Sequence, residues 1–149
     1  MSQSLVKNYI HIIYSTKNRE PWLDNRILKK LCDYSAGILQ NKDCFPLAIG
    51  GYYDHVHIIC NLSKKIALVK LLEVVKTNSS RWIKDQGSKY EYFAWQNGYG
   101  GFSVHENQTK NLVSYINNQE EVHKSKSFEE EYLEILKEHK MKYDPKYLF

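Results

Sequence analysis

The sequence predicts an α+β fold in which the elements run β-α-β-β-α-β and are followed by two further helices. Three observations predict it. Short runs rich in β-branched and aromatic residues alternate with stretches whose apolar residues recur at helical spacing. The two middle runs are joined by a glycine-containing turn too short to hold a helix, so they form an antiparallel pair. No internal repeat, low-complexity tract or linker interrupts the order. We therefore read residues 1–149 as one domain with a helical C-terminal extension over about 123–149.

Val6 to Ser15 reads as the first strand, with His11 inside it. Thr16 to Pro21 breaks the pattern and places Lys17 and Arg19 at a strand end, where cations can reach a ligand or simply face solvent. Pro21 and Asp24 mark a helix entrance. Ile27, Leu28, Leu31, Tyr34, Ile38 and Leu39 then support a helix over about 24–40. Cys44 to Gly50 is the second strand, Gly51 to Asp54 the connection, and His55 to Leu62 the third strand. A helix capped by Ser63 is expected over about 65–84, with Ile66, Leu68, Val69, Leu72, Val75, Ser79 and Trp82 on its apolar side. Its other side carries Lys70, Lys76, Arg81 and Lys84, which suits phosphate contacts and suits a solvated surface equally.

Tyr90 to Gly101 is aromatic and glycine-rich, a loop or a bent strand, in which Trp95 and Tyr99 either stack on bases or order the loop. Phe102 to His105 is a short fourth strand. A helix over about 107–122 carries Tyr115 and Gln119, and a charged link, His123 to Lys126, leads to a last amphipathic helix over about 128–140. This order is that of the ferredoxin-like or RRM-like fold. Such a sheet is covered by two helices on one face and leaves the other available, with the third strand central.

Composition bounds the function only loosely. Hydrophobic residues make up 42% and charged residues 26%, with a net charge of +4, so a polyanionic partner is permitted rather than required. Twelve tyrosines and three tryptophans suit stacking on unpaired bases, and suit a core or an interface as well. Cys32, Cys44 and Cys60 contain no Cys-x-x-Cys pair, which argues against a structural zinc site and for reduced, buried thiols. The first residues lack the apolar core of a leader, and no run is long enough to span a bilayer, so a cytoplasmic location without membrane contact is expected.

The residues that carry chemistry are His55 and His57. Alternation along a strand puts both on one face, with Cα atoms roughly 6.5–7 Å apart, within reach of one metal ion. A solvated strand face would look the same. Tyr115 and Gln119, four apart, share one face of their helix.

Taken in order, several segments resemble one family. They are the early strand with His11 followed by Ser15 to Arg19, Asp54-His55-Val56-His57, Lys76 to Trp82, Trp95 to Val104, Tyr115-Ile116-Asn117-Asn118-Gln119, and the ending from His123 to Phe149. This combination is similar to the single-tyrosine HUH transposases of small bacterial insertion sequences, the IS200-like and REP-associated tyrosine transposases. The resemblance implies a DNA transposase that binds single-stranded, hairpin-bearing element ends. Tyr115 would be the nucleophile, forming a 5′-phosphotyrosine. His55, His57 and Gln119 would hold Mg²⁺ or Mn²⁺, and Lys17, Arg19 and Arg81 would contact DNA. It also implies a homodimer with composite active sites, the His pair from one subunit and the tyrosine helix from the other. A domesticated relative of the same fold that binds nucleic acid without cleaving it is the alternative.

Overall fold

The computed structural model describes residues 2–149. Four strands, β1 (Tyr9–Ser15), β2 (Pro46–Tyr52), β3 (His55–Asn61) and β4 (Gly100–Val104), form one antiparallel sheet in the order β2-β3-β1-β4. Helices α1 (Asn25–Asn41) and α2 (Leu68–Lys84) follow β1 and β3, and α3 (Thr109–Asn117), α4 (Gln119–Val122) and α5 (Phe128–Glu138) follow β4. The expected order and fold class hold.

Strand alternation divides the sheet cleanly. Ile12 and Tyr14 of β1 and Val56, Ile58 and Cys60 of β3 face α1 and α2 and join Leu31, Leu39, Leu71, Leu72 and Val75 in the main core. Ile13 and Phe102 point the opposite way and pack against Phe128, Tyr132 and Leu136 of α5. That second face was expected to be available. It is instead covered by α3, α4 and α5, because α5 carries an apolar stripe of its own that is buried only there. His55 and His57 are consequently fully buried.

Several boundaries differ for local reasons. The second strand runs on through Gly50 and Gly51 to Tyr52, leaving only Tyr53 and Asp54 for the turn. These glycines serve close approach. A Cβ at Gly50 would stand 2.4 Å from the carbonyl oxygen of Ile116 in α3, and one at Gly51 would stand 2.2 Å from that of His55. The second helix begins at Leu68, and Ser63 Oγ accepts from the Lys65 amide in a preceding turn rather than capping it. The helix expected over 107–122 breaks at Asn118 (φ −112°, ψ 25°), which divides α3 from α4. At α1 the entrance is as expected, with the Asp24 side chain accepting from the Ile27 amide. Trp95 is buried, donates to Ser79 Oγ at 3.1 Å and meets the Tyr14 ring edge-on, so it orders its loop.

Candidate functional site

The site lies where the centre of the sheet meets α3, α4 and α5. β3 supplies His55 and His57, two residues apart and therefore on the same face, and β1 supplies His11 beside them. From α3 comes Tyr115 and from α4 Gln119. The helix breaks between them; Gln119 is buried and Tyr115 half-buried at the rim.

The carboxylate at the middle of the cluster is Glu131 of α5, which sequence reasoning did not single out. Its Oε1 lies 3.2 Å from His55 Nε2, 3.1 Å from His57 Nε2 and 3.2 Å from His123 Nε2. Its Oε2 accepts from Gln119 Nε2 at 3.0 Å and from the Tyr115 hydroxyl. Gln119 Oε1 in turn faces His55 Nε2 and His123 Nε2, each at 2.9 Å. A signal for Glu131 was present. Phe128, Glu131, Tyr132, Ile135 and Leu136 follow the i, i+3, i+4, i+7 spacing of a buried face, so one member of the Glu129–Glu131 run stands on an apolar stripe. His123, read as part of a charged link, is the second residue missed.

The imidazoles are held from behind as well. His55 Nδ1 lies 2.7 Å from Asp54 Oδ1, His57 Nδ1 lies 2.9 Å from His11 Nε2, and His123 Nδ1 lies 2.9 Å from the carbonyl of Lys126. His11 therefore positions His57, and the His11 and His57 rings stack with centroids 5.1 Å apart.

Burial and these contacts set the charges. Burial by itself would discharge His55, but its hydrogen bonds to Asp54 and Glu131 prevail and raise it to about 9. Burial lowers His57 despite the same carboxylate. It also lowers His11, to about 3, helped by the neighbouring His57. Glu131 is held well below the usual carboxylate range, because the imidazoles around it outweigh its burial. Burial, and then the adjoining Glu131 carboxylate, push the Tyr115 phenol well above its ordinary value. The neutral phenol is thus the stable form here, and it donates to a carboxylate.

His55, His57 and Glu131 present metal-ligating atoms that all lie within 4.8 Å of one another, so this set can hold a divalent ion. Gln119, the expected third ligand, is in the same cluster. Tyr115 and His57 belong to the same chain, and their ring centroids are 5.9 Å apart. Both halves of the expected site, the histidine pair and the tyrosine, therefore lie side by side within this single chain.

The three cations expected to contact DNA are not brought together. Lys17 and Arg19 lie in a 3-10 turn after β1 in which Asn18 and Arg19 both adopt positive φ, 56° and 55°. Arg19 pairs with Glu129 at 2.6 Å and lies over the Phe149 ring, so the C-terminal segment engages it. Arg81 is on α2, across the sheet, beside a groove lined by Lys76, Trp95 and Tyr99. Lys76 donates to the carbonyls of Gln96 and Gly98 at 2.7 and 2.8 Å and fixes one wall of that groove.

Residues 4–119 match the family model described as "Transposase IS200 like". Among solved structures, the chain is similar to a candidate transposase from Deinococcus radiodurans R1, with 20% identity over 80% of this chain and 96% of that one and a TM-score of 0.62. It is also similar to the REP-associated tyrosine transposase bound to a REP hairpin, with 15% identity over 83% of this chain and 74% of that one and a TM-score of 0.61. No curated protein sequence matches. Among the described residues, no helix is long and apolar enough to cross a membrane.

Proposed function

The chain belongs to the IS200-like transposase family, and from that premise we propose that it cleaves and rejoins single-stranded DNA at hairpin-bearing element ends through a covalent link to Tyr115. The observation that carries this reading is the Tyr115 hydroxyl on the same carboxylate that faces His55 and His57. A nucleophile, its proton's acceptor and a candidate metal site are thereby joined in one cluster.

In this reading Tyr115 Oη attacks the scissile phosphorus. A bond forms from phosphorus to the phenolic oxygen, and the bond to the 3′ oxygen breaks. The products are a 5′-phosphotyrosine and a free 3′-hydroxyl. The phenolic proton leaves along its hydrogen bond to Glu131 Oε2 and passes on to water, and the departing 3′ oxygen takes up one proton from water, so the step is proton-neutral. Because the phosphodiester energy is kept in the phosphotyrosine, attack by another 3′-hydroxyl reseals the strand without ATP. The raised phenol must be brought toward phenolate to react, which explains why the site needs positive charge near it. A divalent ion, Mg²⁺ or Mn²⁺, held by His55 and His57 with Gln119 or Glu131 would supply that charge and polarise the phosphate. Lys17, Arg19 and Arg81 serve as contacts to the DNA backbone. The REP hairpin bound by one structural relative supports a hairpin as ligand, and a homodimer is the working assembly.

The test uses single-stranded DNA from the flank of the chain's own gene, including any imperfect palindrome, incubated with protein and Mn²⁺ or Mg²⁺. A protein–DNA adduct stable to denaturant is expected, and Tyr115→Phe abolishes it. An adduct of undiminished yield in that variant removes Tyr115 as nucleophile. Salt-sensitive binding with no adduct under any metal makes the protein a non-cleaving binding module instead.

A further inference from the structure

Buried carboxylates and imidazoles are costly to place in a protein interior unless they are paired or bound to metal. Here three imidazoles and one carboxylate converge. Their side chains are 0% (His55, His57), 2% (His123) and 1% (Glu131) exposed. All three Nε2 atoms lie 3.1–3.2 Å from a single oxygen, Glu131 Oε1. Hydrogen bonds alone would give similar distances. The stronger indication lies on the other side of each ring. Every Nδ1 is engaged by a different partner: the Asp54 carboxylate, His11, and the Lys126 carbonyl. Metal-bound histidines are held in this manner, one nitrogen oriented by a hydrogen bond and the other presented to the ion. Gln119 steadies the same arrangement, donating to Glu131 Oε2 while its oxygen faces two of the imidazoles.

We propose that His123 and Glu131 join His55 and His57 in a centre of three imidazoles and one carboxylate, which takes a first-row transition ion, Co²⁺ and also Mn²⁺, in preference to Mg²⁺. The proposal deepens the catalytic reading above and rests on it for the ion's role, though not for its binding. Affinity for nitrogen ligands rises along the first transition row, with Mn²⁺ at its foot and Co²⁺ above it, whereas Mg²⁺ favours oxygen ligands and retained water. A third imidazole therefore moves selectivity away from Mg²⁺. The four ligands come from β3, the residue after α4, and α5. Binding of the ion thus ties the C-terminal extension to the sheet.

Binding is read directly, without DNA. The full chain, stripped with chelator, is titrated with Mn²⁺ and followed by electron paramagnetic resonance, and with Co²⁺ followed by visible absorption. His123→Ala and Glu131→Gln are each expected to weaken Mn²⁺ binding at least tenfold. A tenfold molar excess of Mg²⁺ over Mn²⁺ is expected to leave most of the Mn²⁺ bound. In the wild-type protein, which avoids any question of variant folding, Co²⁺ should give the His123 ring N–H a large contact shift together with those of His55 and His57. Unchanged affinity in folded His123→Ala, a His123 ring N–H without that contact shift, or displacement of Mn²⁺ by equimolar Mg²⁺ overturns the proposal. An adduct that forms with Mg²⁺ at wild-type rate in His123→Ala sinks the centre and leaves the catalytic reading standing. Tight Mn²⁺ binding by these residues with no adduct does the reverse.

Discussion

Glu131 is the residue on which the site turns. Its carboxylate meets three imidazoles, a carboxamide and the Tyr115 hydroxyl, so it couples the candidate metal site to the candidate nucleophile. The charges involved make a pH prediction for the metal-stripped protein. His55 is raised from 6.5 to about 9, so its stabilising contribution is complete below 6.5 and is lost as pH rises through 9. Glu131 is lowered from 4.5, so its contribution is present above 4.5 and is lost as pH falls below it. Thermal melts in chelator should therefore show the highest Tm between those limits, with a decline toward pH 9 that His55→Gln removes. A Tm that stays level from pH 6 to 10 would contradict the His55–Glu131 pairing. Residue by residue, spacing on a strand or helix put His55 with His57 and Tyr115 with Gln119, and the ordered resemblance to one family, rather than that spacing, singled them out as site residues. Glu131 and His123 were harder, since their partners lie far away in the chain and only the covering of the second sheet face brings them in.

At the scale of elements, the site exists because α3 comes unusually close to β2. Gly50 permits it, facing the Ile116 carbonyl where a Cβ would intrude. Gly50→Ala is expected to cost about 1–3 kcal/mol of stability and to displace α3, with cleavage falling more than DNA binding. Chemical denaturation and an adduct assay measure the two, and wild-type values for both would remove the argument. The helix also breaks at Asn118, yet Tyr115 and Gln119 on either side of the break still converge on Glu131 Oε2. Gln119 is buried there and Tyr115 half-buried. Helical periodicity alone does not reveal this break, since Asn117-Asn118 lies within an otherwise regular pattern. The strands and long helices were legible from alternation and spacing. The coverage of the sheet was not, because an amphipathic helix announces that it will dock and leaves open where. α5, which begins with a capping box between Ser127 and Glu130, docks on the histidine face.

For the whole molecule, the question is which chains share a site. The family resemblance implies sites completed by a partner's tyrosine helix, whereas here Tyr115 sits on its own chain's Glu131 and beside its own His57. Mixing Tyr115→Phe with His57→Ala protein distinguishes the two. Sites formed within a chain predict no recovery of cleavage in the mixture, and recovery toward about a quarter of wild type, the share of intact composite sites in randomly mixed dimers, would place α3 across the dimer. The C-terminal segment bears on the same question. Arg19, a proposed DNA contact, is engaged by Glu129 and Phe149, so binding of a phosphate there would compete with both. The central claim, that Tyr115 becomes covalently joined to DNA, is tested most directly by digesting the adduct with trypsin and nuclease and mapping the modified tyrosine by mass spectrometry. The account predicts a nucleotide on Tyr115 in the peptide Asn111–Lys124. A nucleotide on any other of the twelve tyrosines, with that peptide unmodified, would contradict it.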